Sequence, residues 1–344
     1  VALGNAANTV TISANGADNT GFRATETFAS ARTFNLNAVN NAFTVTAGKT
    51  LTLSSPFTFG ALTNNLFKSE AGTLVLSADN TGWTGGLTVN SGVLRLTSAT
   101  AAGTGPLSVS PLSTNMGTAL QLSGGFTWSN PITLQATGAQ TQGGVNFGGQ
   151  LQSLSGTNYL TGLITMPYGA VIGSTEAGST LNLMGGIYAG INSTVGNTAL
   201  RFTGAGNFVL STTELTVAAG TTYSSIEKYG TGTFWIKSSN TTNVTDTTGN
   251  GLTVKQGTLI IDSNGTWRSK LFIENGATVT VDDSIVNFDK GRFSNLQSGL
   301  YYDLTMRGGN FNLVGALNSA FNGSGGVVGS SSTSATSAIT QQLR

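Results

Sequence analysis

The sequence predicts an all-β fold in which short parallel strands stack coil upon coil into a single-stranded β-helix, also called a β-solenoid. Three observations lead to this prediction. Apolar residues alternate with Thr, Asn and Ser along most of the chain, and Gly, Asn, Ser or Asp ends each short apolar run. One strand–loop–strand unit occurs at residues 68–96 and, altered, at residues 228–261.

The alternation is clear in segments such as TVTIS (9–13), KTLTLSS (49–55) and ATVTVDD (277–283). A period of two places every second side chain on one face of a strand, so each segment predicts a strand with one buried face. Thr is the most frequent exposed partner, and its β-branched side chain suits a pleated surface. The spacing of these strands fits an antiparallel sandwich or barrel as well as a parallel solenoid.

The internal repeat favours the solenoid over the sandwich or barrel. The first copy places structural residues at Gly72, Leu74, Leu76, Asn80, Gly86, Val89, Gly92 and Leu94, and the second at Gly232, Phe234, Ile236, Asn240, Gly251, Val254, Gly257 and Leu259. Five extra residues enter the second copy in its polar loop, after Asn240 and Thr241. A solenoid explains why the same apolar positions return, because every coil must cover the coil below it.

Residues 68–96, KSEAGTLVLSADNTGWTGGLTVNSGVLRL, resemble the autotransporter-associated β-strand repeat of bacterial passenger proteins. The residues that carry the resemblance are Lys68, Gly72, Thr73, Leu74, Asn80, Thr81, Gly82, Trp83, Gly85, Gly86, Leu87, Thr88, Val89, Gly92 and Leu94. The second copy lacks the aromatic residue in the loop. The resemblance implies a right-handed parallel β-helix that is secreted or displayed on the bacterial cell surface as a stalk or adhesive passenger. It implies no specific activity.

Composition narrows the classes of function. The chain carries a net charge of +1 and only 8 % charged residues, and Glu176 is the single charged residue between Arg95 and Arg201. No basic field is present to attract nucleic acid. Without Cys or His, disulfides, thiolate catalysis and zinc-type sites are excluded, and we expect no cofactor and no metal. No apolar run reaches the roughly 20 residues that a transmembrane helix needs.

The composition also predicts the binding partners of the chain and its division into segments. A neutral surface has little charge to oppose self-association, so we expect the partner to be another copy of the chain, or a host or cell-surface glycan or protein. Residues 1–322 are predicted to form the β-helix, and the Gly/Ser/Thr-rich residues 323–344 a flexible, linker-like segment. The absence of cysteine suits an exported bacterial protein, so we expect an extracellular location.

An enzyme would need acids, bases or nucleophiles that converge. The best pair is Asp282 and Asp283, but neighbours on a strand point to opposite faces. With Asp289, Lys290 and Arg292 they are candidates for a calcium site or a sugar-cleaving cluster, although solvated charges near a turn are the favoured interpretation. Candidate surface contacts are Trp83, Trp235, Tyr301 and Tyr302, for which packing on a neighbouring loop or subunit is favoured over glycan stacking.

These observations predict an extracellular structural β-helix that is not an enzyme. We expect it to act as an assembling fibre or surface-layer subunit, or as an adhesive stalk. The alternative is a carbohydrate-active β-helix enzyme or a glycan-binding adhesin.

Overall fold

A computed structural model of the chain describes residues 7–13, 20–111, 117–135, 148–167, 169–189, 198–211, 215–217, 224–237, 251–261, 271–282, 304–314 and 338–342. These residues form 33 β-strands and no helix. Strands that are adjacent in a sheet run parallel and come from successive coils. The predicted all-β parallel β-helix is therefore confirmed.

Two long sheets run along the molecule. Sheet B contains β2 (Thr20–Ala24), β5 (Asn40–Val45), β8 (Asn65–Ser69), β10 (Leu87–Val89), β12 (Leu107–Val109), β15 (Ile132–Leu134), β18 (Ile164–Met166), β21 (Ile187–Ala189) and β24 (Leu215–Val217). Sheet C contains β3 (Phe28–Ser30), β6 (Thr50–Leu53), β9 (Thr73–Leu76), β11 (Gly92–Leu96), β13 (Thr118–Ser123), β16 (Leu151–Ser155), β19 (Ala170–Ser174), β22 (Thr198–Thr203), β25 (Ser224–Lys228), β27 (Leu252–Val254), β29 (Leu271–Glu274) and β31 (Leu304–Arg307). Twelve strands at about 4.8 Å make sheet C roughly 53 Å long.

The third face of the coil is formed by two separate sheets, one of three strands and one of nine. Sheet A contains β1 (Val10–Ile12), β4 (Phe34–Leu36) and β7 (Thr58–Phe59). Sheet D contains β14 (Thr127–Trp128), β17 (Thr157–Leu160), β20 (Thr180–Leu183), β23 (Asn207–Leu210), β26 (Thr233–Ile236), β28 (Gly257–Ile261), β30 (Ala277–Asp282), β32 (Asn310–Val314) and β33 (Ala338–Gln342). Between β7 and β14 the third face is made of loops, because the chain passes directly from sheet C back to sheet B.

The coils differ in length because their loops differ. Leu252 pairs with Leu271, one coil of 19 residues away, whereas Leu271 pairs with Leu304, 33 residues further along. The strands nevertheless stay in register, since a one-residue slip would turn every apolar side chain outward.

The core consists of apolar ladders that run along the axis. In sheet C, one such ladder is Leu51, Leu74, Leu94, Leu120 and Leu151, which are paired in that order and are all fully buried. Burying each of these side chains stabilises the fold by about 1.5–3 kcal/mol. The adjacent outward ladder of sheet C is Thr52, Val75, Arg95, Gln121 and Gln152, which mixes polar, apolar and charged side chains.

One strand lies where the sequence predicted a linker. The strand β33 falls within residues 323–344 and pairs with β32 from Asn310↔Ala338 to Val314↔Gln342. A five-residue strand therefore lies inside the segment that the sequence predicts to be flexible and linker-like. Their β-branched Ile339 and Thr340 suit a strand, and the edge of sheet D supplies unpaired backbone groups for it.

Candidate functional site

The structure places the apolar residues of both repeat copies in the core. Their side chains are at most 1 % exposed: Leu74, Leu76, Val89 and Leu94 in the first copy, and Phe234, Ile236, Val254 and Leu259 in the second. Their role in this protein is therefore to cover the neighbouring coil.

The two copies occupy different corners of the coil. In the first copy, β8 and β10 belong to sheet B, and β9 and β11 to sheet C. In the second, β25 and β27 belong to sheet C, and β26 and β28 to sheet D. The repeated unit is thus a corner between two sheets, and it has moved round the coil by one face.

A buried lysine lies at the centre of the first corner. Lys68 follows Leu66 on the inward side of β8 and is fully buried. Its Nζ donates hydrogen bonds to the carbonyl oxygens of Ser69 (2.9 Å), Glu70 (2.7 Å) and Ser91 (3.0 Å). Three carbonyls therefore accept from all three protons of an ammonium group. Burial lowers the pKa of Lys68 to about 7, against a smaller opposing effect of the Glu70 charge.

The second corner repeats this arrangement. Lys228 is fully buried on β25, and its Nζ donates to the carbonyl oxygens of Tyr229 (2.8 Å), Gly230 (2.7 Å) and Gln256 (3.4 Å). Burial lowers the pKa of Lys228 to about 8. In both corners two acceptors come from the lysine's own turn and one from the next coil. The lysine therefore ties two coils together.

Sequence reasoning did not assign a role to either lysine, although both copies begin with one. The signal was available in the alternation. Lys68 follows the apolar Leu66 by two residues, and Lys228 follows Ile226 by two residues. In a strand, residues two apart point to the same face, so both lysines lie on the inward face.

Glycine is required beside each lysine. Gly92 and Gly257 have φ angles of 70° and 76°, which L residues with a side chain rarely adopt. A Cβ at either position would lie 2.4 Å from a carbonyl oxygen of the lysine's turn, that of Glu70 or Gly230 respectively. The corner thus needs glycine for both conformation and space.

Asn80 joins three successive coils in the loop on the third face. Its side-chain Oδ1 accepts from the Phe57 backbone N–H at 2.8 Å, and its Nδ2 donates to the Ala101 carbonyl at 2.8 Å. The side chain is only 5 % exposed, so both bonds replace water in the interior. The corresponding Asn240 lies outside the described residues.

Trp83 is not a surface contact, which corrects the prediction. It is fully buried, its Nε1 donates to the Asn64 carbonyl at 2.8 Å, and its ring stacks on Phe59 with centroids 5.5 Å apart. The third face has no strand in this coil, and the indole fills the space against Phe59, which belongs to sheet A in the preceding coil.

Trp235 does lie on the outer face, as its position between Phe234 and Ile236 predicted. It is half-buried on sheet D, with Val209 and Ile260 as its register partners. The Lys237 ammonium lies 5.6 Å from the ring centroid. The other two candidate contacts, Tyr301 and Tyr302, lie outside the described residues.

The structure does not describe how the candidate carboxylate and basic side chains near Asp282 are arranged. Asp282 ends β30, and Asp283, Asp289, Lys290 and Arg292 lie outside the described residues. Within the described ranges, no group of three or more potential metal-ligating side chains is present. The same part of the chain holds no helix that is long and apolar enough to span a bilayer.

The ion pairs found in the described residues concentrate on one side of the coil. On sheet C, Glu274 pairs with Arg307 (3.0 Å) and Lys255 (3.7 Å), and Arg201 pairs with Glu227 (2.5 Å). The other two pairs, Arg23–Glu70 and Lys49–Glu26, lie at the corner between sheets B and C. Opposite charges on successive coils avoid the repulsion that an in-register ladder of like charges would produce.

Comparison with known protein families gives a match over one segment of the chain. Residues 66–96 match the family model described as passenger-associated-transport-repeat, which confirms the resemblance based on residues 68–96. The comparisons with curated proteins and with solved structures gave no match. The matched segment coincides with the Lys68 corner and the loop that carries Asn80 and Trp83. A repeat of this kind suggests the passenger domain of a bacterial surface protein and implies a secreted or cell-surface location.

Proposed function

We propose that this chain is a structural rod on the bacterial cell surface, which works by self-association and by contact with other surfaces and not by catalysis. Its role is that of an assembling fibre or surface-layer subunit, or of an adhesive stalk. The buried ladders and lysine corners make the rod, and the outward residues make its contacts.

The observation that carries this proposal is the separation of charge on the outer surface. All five ion pairs found in the described residues involve sheet C or its corner with sheet B. In the middle of sheet B the outward ladder is Thr88, Ser108, Thr133 and Thr165, and the uncharged Phe67 and Tyr188 continue it on either side. A surface of this kind has no field that repels a second copy.

A glycan-binding adhesin is the second candidate, and Trp235 favours it. An aromatic ring that is partly exposed on the face of a sheet beside a cation can stack on a sugar ring. The same ring can pack on a protein surface, so the two candidates require an experiment.

Concentration-dependent assembly of the full chain tests the proposal. We expect electron microscopy and sedimentation velocity to show rods that associate as the protein concentration is raised. Rods that stay monodisperse at high concentration would contradict it. A polysaccharide panel tests the alternatives: sugar binding that Trp235→Ala abolishes would support the adhesin, and chain cleavage that Asp282→Ala abolishes would support an enzyme.

A further inference from the structure

The large apolar side chains that are most exposed in the described residues lie along one corner of the coil. They are Val39 (66 % exposed), Leu62 (54 %), Leu163 (47 %), Tyr188 (41 %) and Tyr159 (37 %). Val39, Leu62 and Leu163 lie where the chain passes from the third face into sheet B. Tyr159 lies at the end of the third face before this corner, and Tyr188 on sheet B directly after it. Isolated exposed apolar residues are ordinary, but their collection along one line is not.

Two exposed prolines continue the line between these residues. Pro106, Pro131 and Leu163 occupy the same position in successive coils, directly before Leu107, Ile132 and Ile164 of sheet B. Their carbonyl oxygens accept hydrogen bonds from the backbone N–H of Leu87, Leu107 and Ile132 respectively. The corner is therefore held by the same coil-to-coil bonding as the sheet, and its apolar groups stand on a rigid frame. We call Val39, Leu62, Pro106, Pro131, Leu163 and Tyr188 the apolar ridge.

Glu176 and the ion pairs of sheet C lie away from the ridge. Glu176, the single charged residue between Arg95 and Arg201, follows β19 and precedes β20, so it lies at the corner between sheets C and D. In a three-sided coil, the corner of the ridge is opposite sheet C, where three of the five described ion pairs lie.

We propose that the apolar ridge is the lateral contact by which one copy of this chain binds a second copy. The proposal rests on the proposed function and names the surface on which the rods associate. An uncharged apolar ridge matches an equally uncharged surface, whereas a charged glycan or an anionic membrane would be recognised by cations, of which the ridge has none.

The size of the ridge sets the strength of the contact. From Val39 to Tyr188 it spans seven strands of sheet B, or about 29 Å at 4.8 Å per coil. With a width of roughly 12 Å, a pair of ridges buries on the order of 700 Å², below the roughly 1,200 Å² of stable complexes. Two rods in dilute solution therefore associate weakly, and the paired state should be populated only at high protein concentration.

Cysteine cross-linking tests the ridge directly, because the native chain contains no cysteine. Leu62→Cys, Pro106→Cys and Leu163→Cys are made singly in the full chain and oxidised mildly at high protein concentration. The control is Ala177→Cys, an exposed residue that follows Leu163 within one coil length but lies at the corner between sheets C and D. We expect ridge cysteines to form disulfide-linked dimers about tenfold faster than the control, because the contact raises their effective concentration.

The pattern of cross-links gives the orientation of the two rods. Parallel rods join Leu62→Cys to itself and Leu163→Cys to itself. Antiparallel rods centred on the middle of the ridge join Pro106→Cys to itself, and Leu62→Cys to Leu163→Cys in a mixture of the two variants. Either pattern supports the proposal, and Leu163→Lys should suppress both, whereas Ala177→Lys should suppress neither.

Two results would overturn the proposal. One is cross-linking of all ridge cysteines at the rate of Ala177→Cys while the native chain still assembles; self-association would then stand but use another surface. The other is binding to a cell-surface glycan that Leu163→Lys abolishes, without faster ridge cross-linking, which would identify the glycan as the occupant. A native chain that does not assemble at any concentration would instead refute the proposed function.

Discussion

Replacement of Lys68 by Met tests the buried lysine of the repeat corner through the pH dependence of stability. Burial lowers the pKa of the folded-state ammonium to about 7, from 10.5 in the unfolded chain. Between these two pH values the unfolded chain binds more protons at this site than the folded chain. The free energy of unfolding contributed by Lys68 should therefore rise as the pH is raised from 7 to 10.5, and stay constant below 7.

The size of the effect follows from the shift. One bound proton that differs between the two states changes the free energy of unfolding by about 1.4 kcal/mol per pH unit. The difference between native chain and Lys68→Met should change by several kcal/mol between pH 6 and pH 10, in favour of the native chain at the higher pH. At pH 6, where Lys68 is an ammonium group with three donor protons, the variant also loses the hydrogen bonds to three buried carbonyls, at a cost of about 1–3 kcal/mol.

Urea denaturation at pH 6, 7, 8, 9 and 10, followed by tryptophan fluorescence, measures this difference. Lys49→Met removes one exposed positive charge, that of the Lys49–Glu26 pair, and serves as the control. Lys228→Met should show the same rise in a window that begins near pH 8. A difference between native chain and Lys68→Met that stays constant from pH 6 to 10 would refute the reasoning, because it would mean that the three carbonyls keep the ammonium charged as readily as water does.

Three further substitutions test the rest of the corner and the loop. Gly257→Ala should lower the free energy of unfolding by about 3 kcal/mol or more, because the φ of this residue is positive and the new Cβ would meet a carbonyl oxygen. Gly276→Ala, at a φ of 79° but with open space around the Cβ, should lower it by only about 1–2 kcal/mol. Thermal unfolding compares the two variants, and equal losses of stability would contradict the steric argument. Asn80→Asp keeps the acceptor of the bond from Phe57 and loses the donor of the bond to Ala101, so it should lower the free energy of unfolding by about 1–3 kcal/mol. Urea titrations near neutral pH measure this change, and an unchanged midpoint would contradict a stabilising role of the two cross-coil bonds. Acrylamide should quench the fluorescence of Trp235, measured as the signal that Trp235→Phe removes, because this ring is partly exposed. It should hardly quench the fluorescence of Trp83, measured with Trp83→Phe, because this ring is fully buried. Stronger quenching of Trp83 than of Trp235 would contradict their burial.

The alternation of the sequence was sufficient to predict the strands and their inward residues, and the internal repeat was needed to predict the parallel β-helix. Leu74, Leu94 and Leu259 could be assigned to the core because a period of two leaves only two faces to choose between. The role of Lys68 was not predicted, because a lysine in a sequence is expected to be solvated unless hydrogen-bond acceptors are known to surround it in the fold. Those acceptors are backbone carbonyls, and one belongs to Ser91 on the next coil.

The loops show the same limit. Trp83 was named as a possible surface contact, with packing on a neighbouring loop or subunit favoured over glycan stacking, and the missing strand on the third face leaves room for the indole against Phe59. The linker predicted over residues 323–344 likewise contains the strand β33, which pairs with the edge of sheet D. In both cases the deciding partner comes from another coil.

What the sequence determined by itself was the all-β class, the parallel stacking implied by a repeated unit, and the division of each strand into inward and outward residues. These properties depend on local periodicity and on the return of one pattern. Only the tertiary structure decided that the repeat is a corner that moves from sheets B and C to sheets C and D, that its lysine is held by carbonyls of two coils, and that the exposed apolar residues form one ridge. The physical reason is that coil length varies between 19 and 33 residues in the described pairs cited above, so residues that stack on one another have no constant separation in the sequence.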